Sequence, residues 1–335
     1  MQEADVKVRV STIFAGKLRR YHGSSWLEKL LDISTIINNI FDVLLVVLGF
    51  FQSFTKLIFW RPNVVFLKGG FVSLPVGYAA YLLRIPIVIH DSDAHAGLAN
   101  RLLAPIATYI ATGAPLEHYN YPVNKAHYVG IPVKSSLKPL TNEQRQKVKQ
   151  KFDLPADKPL VLVTGGGLGA KRINDAIVAI ASDIIQTASV VHLSGALQYD
   201  ELKDAVPSAD NYKLMSFVSD GFTDLVAAAD VVISRAGASS LAELAAVGAN
   251  VILVPNPQLV GGHQLKNAQI YVDRGAVILA DETKFADDPK VLLAQISDLL
   301  ENPDVRHKLG KQLHSFAKLG AAKDVAQMIM QAAKK

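Results

Sequence analysis

"LVTGGGLGAKRIND", residues 162–175, is an apolar, strand-like run that meets three glycines, then Leu168, Gly169 and Ala170, and passes into a helical pattern. Such a turn leaves backbone N–H groups free at a helix N-terminus, where an anion is stabilised. The run belongs to a series. "PLVLVTG", "SVVHLSG", "YKLMSF", "DVVISRAG", "NVILVP" and "GAVIL" follow one another, most of them separated by helical patterns. Upstream, "NVVFL" (63–67), "IPIVIH" (85–90) and "YIATG" (109–113) alternate with "LPVGYAAYLL" and "DSDAHAGLANRLLAPIA". Strands alternating with helices predict parallel sheets covered by helices. Between the two series, "VGIPVKSSLKPLTNEQRQKVKQKF" changes to a proline-spaced polar connection and a charged helix. The boundary is placed there, giving domains 1–138 and 139–335. The reading is α/β: two doubly wound halves facing a cleft, the second closed by helices over 291–299 and 321–334. A chain of 335 residues suits two such cores.

Composition narrows the class. Half the residues are hydrophobic and 19% are charged, which excludes disorder over most of the length. With no cysteine, disulfide frameworks and thiolate metal sites are out. The formal charge of +5 suits phosphate-bearing ligands or an anionic membrane surface, and no basic tract with interleaved aromatics argues for nucleic acid. The opening residues carry no signal-peptide pattern. The most membrane-like stretch is "DVLLVVLGFFQSFTKLIFW", residues 42–60. Its uncharged part, 43–55, has thirteen residues, short of the roughly 20 that a spanning helix needs. A buried helix and an apolar face dipping into a bilayer surface beside Lys17, Arg19, Arg20 and Lys56 are both open.

Three stretches could carry chemistry in the second half. Gly165, Gly167 and Ala170 satisfy a degenerate G-x-G-x-x-A, yet the next strand ends in Ser194 and Gly195 instead of the acidic residue that a nicotinamide dinucleotide wants for its ribose. Phosphate binding and a purely structural turn survive. "SRAGASSLAELAAVG" (234–248) also follows a strand and opens a helix with small residues. Glu243 there is either a capping carboxylate or an acceptor for a vicinal diol. In "NPQLVGGHQLKNA" (256–268), His263, Gln264 and Asn267 arrive at a helix start, with amides suited to sugar hydroxyls and no second metal ligand at helical spacing. In the first half, "KGGFVSLP" (68–75) is another glycine turn. His90, Asp91 and Asp93 at a strand end are candidates for base, orienter and hydroxyl ligand. No G-x-S-x-G elbow supports a serine hydrolase.

The order of "FLKGGFVSLPVGYAAYLLRIPIVIHDSDAHAGLANR", "GIPVK", "GGGLGAKRIND", "HLSG", "SFVSD", "ADVVISRAGASSLAELAAVG" and "HQLKNA" resembles the MurG-type glycosyltransferases over essentially the whole chain. The resemblance implies a GT-B fold and inverting transfer of N-acetylglucosamine from UDP-N-acetylglucosamine to undecaprenyl-diphospho-muramoyl-pentapeptide. It also implies a peripheral position at the cytoplasmic face of the membrane, and neither a cofactor nor a bound metal. Carried over, Gly166, Gly167, Leu168, Ala238 and Ser239 lie at the donor diphosphate, and Phe217 and Val218 frame the uracil. Glu243 takes the ribose, and Gln264 and Asn100 take the sugar. Lys134 and His263 stand at further donor positions, and Gly69, Gly70 and Phe71 face the acceptor.

The chain departs from this pattern in places. The family's opening G-G-T-G-G-H loop has no counterpart, so either the start lies upstream of Met1 or the first strand–helix unit of the N-terminal domain is missing. Such a loss is expected to leave an open sheet edge and exposed apolar surface. His263 replaces a family glutamine, Lys134 an arginine, and Asp91 and Asp93 a glutamate and an asparagine. His90 and Asp93 remain the candidate catalytic residues. Three alternatives stay open: another UDP-sugar lipid glycosyltransferase, a non-catalytic UDP-sugar-binding relative and, more remotely, a nicotinamide oxidoreductase.

Overall fold

Every residue of the two central strands of the larger sheet is buried, which is why they read as unbroken apolar runs. In the computed structural model, residues 9–17, 33–167, 169–257 and 262–335 are described. Among them the first half forms a four-stranded parallel sheet of β1 (Val65–Leu67), β2 (Ile87–Asp91), β3 (Tyr109–Thr112) and β4 (Ala126–Tyr128), paired in chain order. Helix α1 (Ile33–Trp60) precedes it, and α2 (Ser73–Leu82) and α3 (Leu98–Leu103) cross between its strands. Helix α4 (Asn142–Lys151) leads into the second half. It is started by a capping box in which the Thr141 hydroxyl accepts from the Gln144 N–H and the Gln144 side chain accepts from the Thr141 N–H.

The second sheet contains β5 (Leu160–Thr164), β6 (Ser189–Leu193), β7 (Tyr212–Met215), β8 (Val231–Ser234), β9 (Val251–Leu253) and β10 (Ile278–Leu279). Its order is β10-β9-β8-β5-β6-β7, all parallel. The chain runs outward from β5 to β7, then returns to lay β8 on the other side of β5. The switch point therefore lies between the carboxyl ends of β5 and β8, the place where doubly wound sheets bind ligands. Helix α5 (Lys171–Thr187) leaves β5. It buries Ile173, Ile177, Ile180 and Ile184 on one stripe at helical spacing. The series continues through α6 (Tyr199–Leu202), α7 (Phe222–Ala228), α8 (Ala238–Val247), α9 (His263–Val272), α10 (Glu282–Asp287), α11 (Lys290–Glu301) and α12 (Pro303–His314).

The last helix, α13 (Ala321–Ala332), does not close the second half as the sequence suggested. Val325 and Met328 pack on Ala111 and Val129 of the first half. Lys318 lies 4.5 Å over the Tyr128 ring and Lys335 4.5 Å over that of Tyr109. The chain end thus ties the two halves together.

Helix α1 is longer than its uncharged core implied. It runs unbroken through Asp42 and Lys56 for 28 residues. Gly49, Ser53 and Leu57 form a buried stripe against the fold, and α1 packs on α2. Ile37, Ile40, Phe41, Leu44, Val47, Leu48 and Phe51 are exposed. Over residues 37–60 the helix is long and apolar enough to cross a membrane by length and composition, with mean hydropathy 1.8. Among the described residues β1 is a sheet edge, and Phe66 on it is exposed.

Candidate active site in the cleft

At the switch point, two helices begin without a side-chain cap. The first main-chain bonds of α5 and α8 are Asn174 N–H to Ala170 and Leu241 N–H to Gly237, so the preceding N–H groups have no helical partner. Beside them lies a cavity of about 480 Å³ lined by Lys134, by Gly166 and Gly167 of the turn before α5, by Phe217, Val218 and Ser234, and by Ser240 and Glu243 of α8. Glu243 makes no capping bond, which removes the capping-box reading. Burial pushes its carboxyl above the usual range, and the Lys134 charge pulls the other way. An electropositive pair of helix ends beside a half-buried carboxylate and an exposed Phe217 ring suits a nucleoside diphosphate: phosphates at the turns, diol at Glu243, base at the ring.

The turns are fixed from behind. The buried carboxylate of Glu282 pairs with Arg172 in the first turn of α5 at 2.7 Å and with Arg235, just after β8, at 2.5 Å. Asn174, also on α5, donates to the Ser194 carbonyl at 2.9 Å, and its Oδ1 lies 3.0 Å from His192 Nε2. Because the Asn174 amide nitrogen donates elsewhere, His192 Nε2–H donates to Oδ1, and Nδ1 accepts from the Tyr212 hydroxyl at 2.9 Å. Burial lowers the His192 pKa to about 4, so the ring is neutral.

A second cavity, of about 360 Å³, lies in the first half. Its lining includes Lys17, Lys68, Gly69, Gly70, Phe71, Asp91, Asp93 and Asn100, together with His263 from the second half. Asn100 is buried, donates weakly to the His90 carbonyl at 3.4 Å, and leaves Oδ1 buried without a partner. That is the signature of a polar contact completed by a ligand hydroxyl or amide. Asp91 accepts from the Tyr121 hydroxyl at 2.7 Å and the Gly97 N–H at 3.1 Å. Its carboxyl is pushed up by burial, against those hydrogen bonds. His90 is fully buried, with Nε2 2.9 Å from the Gly130 carbonyl and Nδ1 3.3 Å from the Ser92 hydroxyl, and burial lowers its pKa. Both ring nitrogens are engaged, so His90 braces the end of β2 and is not positioned as a base. Asp93 is more open and faces the other half.

The two halves meet across the cleft through α9. The buried Asn267 side chain donates to Asp93 Oδ1 at 2.9 Å and to the Ala236 carbonyl at 3.2 Å, and accepts from the Ala94 N–H at 2.8 Å. Gln264 Oε1 accepts from the Asn256 N–H at 2.8 Å. Of the candidates read from the sequence, Lys134, Gly166, Gly167, Phe217, Val218 and Glu243 share the first cavity, and Gly69, Gly70, Phe71, Asp93, Asn100 and His263 the second. Ala238 and Ser239 stand at the start of α8 outside the lining of either. Leu168, Gly261, Arg19 and Arg20 lie outside the described residues. The sequence reading missed Lys68 and Lys17 as cations at the acceptor-side cavity, the clasp made by Asn267, and Glu282. Lys68 precedes the glycine turn directly, and that position was the available signal.

Comparison with known proteins agrees with this fold. Residues 160–327 match the model of the glycosyltransferase family 28 C-terminal domain, and residues 28–112 that of the family 28 N-terminal domain. The UDP-N-acetylglucosamine–N-acetylmuramyl-(pentapeptide) pyrophosphoryl-undecaprenol N-acetylglucosamine transferase of Geobacillus thermodenitrificans is 35% identical over 88% of this chain and 77% of its own length. The protein of the same name from Legionella pneumophila is 36% identical over 87% and 75%. Among solved structures, Acinetobacter baumannii MurG superposes with a TM-score of 0.68 at 25% identity, covering 85% of this chain and 80% of that one. A UDP-GlcNAc 2-epimerase from Neisseria meningitidis, at 16% identity and TM-score 0.62, shares the fold.

Proposed function

The chain belongs to glycosyltransferase family 28, and on that footing we propose that it transfers N-acetylglucosamine from UDP-N-acetylglucosamine to undecaprenyl-diphospho-muramoyl-pentapeptide, converting lipid I to lipid II. The observation that carries the donor half is one cavity at the switch point that brings together the Gly166–Gly167 turn before α5, Ser240 in the first turn of α8, and Glu243. Gly166 and Gly167, with the N–H groups opening α5 and those of Ala238 and Ser239 opening α8, hold the diphosphate. Phe217 and Val218 frame the uracil, Glu243 the ribose. Gln264 and the unpartnered Asn100 Oδ1 receive the sugar, and Lys134 balances charge. As the acceptor hydroxyl attacks C1, the C1–O bond to the diphosphate breaks and UDP departs with the bonding pair. The two helix ends stabilise the charge that develops on it. With His90 engaged in bracing β2, Asp93 is the candidate catalytic residue left open to the cleft.

Gly69, Gly70 and Phe71, flanked by Lys68 and Lys17, face the acceptor's diphosphate. The exposed apolar face of α1 supports docking at the inner surface of the membrane, where a lipid acceptor is presented without being extracted. The test is transfer from labelled UDP-N-acetylglucosamine to lipid I in vesicles. Lipid II formation, with the protein floating with the vesicles, is the expected result. Release of free N-acetylglucosamine with no lipid product would contradict the acceptor assignment.

A further inference from the structure

Asp93 faces one more side chain across the cleft. His263, the first residue of α9, places Nδ1 3.8 Å from Asp93 Oδ2. That nitrogen is buried and has no hydrogen-bond partner. The other carboxylate oxygen, Oδ1, is held by Asn267, one turn along the same helix. One helix of the second half therefore presents two side chains to a single carboxylate of the first half. An approach of about 1 Å between the halves would turn the 3.8 Å contact into a hydrogen bond. Catalytic contacts in ligand-free enzymes are often loose in this way. The rest of the ring is part-exposed and lines the cavity with Gly69, Gly70 and Asn100, next to Gln264.

We propose that His263 and Asp93 form a proton-transfer dyad assembled across the cleft, with His263 as general base and Asp93, set by Asn267, as its orienting carboxylate. The inference rests on the transferase reading and goes beyond it by assigning the proton. As the acceptor oxygen bonds to C1 and UDP leaves with the electron pair of the broken C1–O bond, the hydroxyl proton passes to His263 Nε2. Nδ1–H is then held by Asp93, which stabilises the imidazolium, and the proton is later released to water. Because the dyad takes one member from each half, the base is complete only when the cleft is closed on both substrates. This arrangement suppresses donor hydrolysis in the open state.

Other ionisable groups lie near the pair: Asp91 on β2 lines the same cavity, and the ring centroid of His95 is 6.3 Å from that of His263. Lys68 follows β1, and Lys17 belongs to the segment 9–17. The test therefore compares variants with the wild-type chain.

The experiment measures turnover against pH, at saturating donor and acceptor, alongside calorimetric UDP-N-acetylglucosamine binding, for the wild-type chain, His263→Gln and Asp93→Asn. The wild-type rate is expected to rise with pH and level off. His263→Gln should keep donor affinity within about threefold while turnover falls roughly 10²- to 10⁴-fold and the rising limb disappears. Asp93→Asn should keep the limb but move it to lower pH, since the imidazolium loses its carboxylate. Wild-type turnover and an unchanged limb in His263→Gln would overturn the dyad. So would a loss confined to donor affinity, which would make His263 a sugar contact alone. Absence of donor binding in the wild-type chain would instead overturn the underlying transferase reading.

Discussion

Gly169→Ala and Gly166→Ala compare two glycines of the same turn that share a backbone conformation and differ in surroundings. Gly169 has φ +80° and Gly166 φ +83°, the left-handed region in which an L-residue costs about 1–2 kcal/mol. At Gly166 an added Cβ meets nothing within 4 Å, so only that conformational cost applies. At Gly169 the Cβ would sit 2.1 Å from the Ser194 carbonyl oxygen and 3.1 Å from its carbon. Ser194 cannot swing aside. Its carbonyl accepts from Asn174 at 2.9 Å, its N–H bonds the Met215 carbonyl at 3.0 Å, and Asn174 is locked to His192. Relief requires the turn and the end of β6 to part, an overpacking cost of about 1–3 kcal/mol. Gly169→Ala should therefore destabilise by about 2–5 kcal/mol and Gly166→Ala by about 1–2. Urea denaturation followed by far-ultraviolet circular dichroism measures the difference. Calorimetric titration with UDP adds the functional half: Gly166→Ala should weaken UDP binding in a protein that still folds, because its methyl group enters the phosphate site. Equal stabilities for the two variants would refute the packing argument for the turn.

The raised Glu243 carboxyl predicts that donor affinity falls on acidification at a pH above the ordinary carboxylate range, since the charged form accepts from the ribose; Glu243→Gln should flatten that profile in calorimetry. His192 has a folded-state pKa of about 4, below its unfolded value near 6.5. The unfolded chain thus binds the proton first, and stability is lost as pH falls from about 6.5 to about 4, by up to about 3 kcal/mol. A variant with His192→Gln should start less stable at pH 7 and lose less between pH 7 and 4.5 by urea midpoint; an equal loss would count against the assignment. Glu282→Ala leaves the largely buried Arg235 guanidinium with the Val254 carbonyl but no carboxylate, and should cost about 3 kcal/mol and weaken UDP binding, whereas Glu282→Gln, which retains an acceptor, should cost less.

Much of the architecture was legible because parallel strands buried on both faces leave near-continuous apolar runs, as β5, β8 and β9 do. Strand β4 went unread: it has three residues, and His127 on it is exposed, so neither length nor alternation marks it. The extent of α1 was underread because Asp42 and Lys56 look like ends. In the fold Asp42 is buried, with Gly16 packed so closely on its backbone that a Cβ there would lie 1.9 Å from the Asp42 carbonyl oxygen. Lys56 donates to the Thr12 carbonyl at 2.9 Å and to the Ser11 hydroxyl. Charges that find partners need not end a helix.

The glycine turns and helix starts beside the switch-point cavity were legible for a similar reason, since they are local features. Contacts between the halves were not. Asp93 and Asn267 are 174 residues apart, and nothing in either segment alone announces the other. His90, by contrast, was a sound local reading that tertiary structure overrode. A histidine at a strand end is a candidate base until its two nitrogens prove to be occupied.

The central claim is that the switch-point cavity binds a UDP-sugar through Glu243 and delivers it for transfer. Calorimetric titration of UDP-N-acetylglucosamine into the wild-type chain and into Glu243→Ala tests it most directly. Saturable one-to-one binding is predicted, weakened in the variant by about 1–3 kcal/mol, or roughly 5- to 150-fold in Kd, because ribose hydroxyls lose a buried acceptor. No binding to the wild-type chain, or equal affinity in the two proteins, would contradict the account.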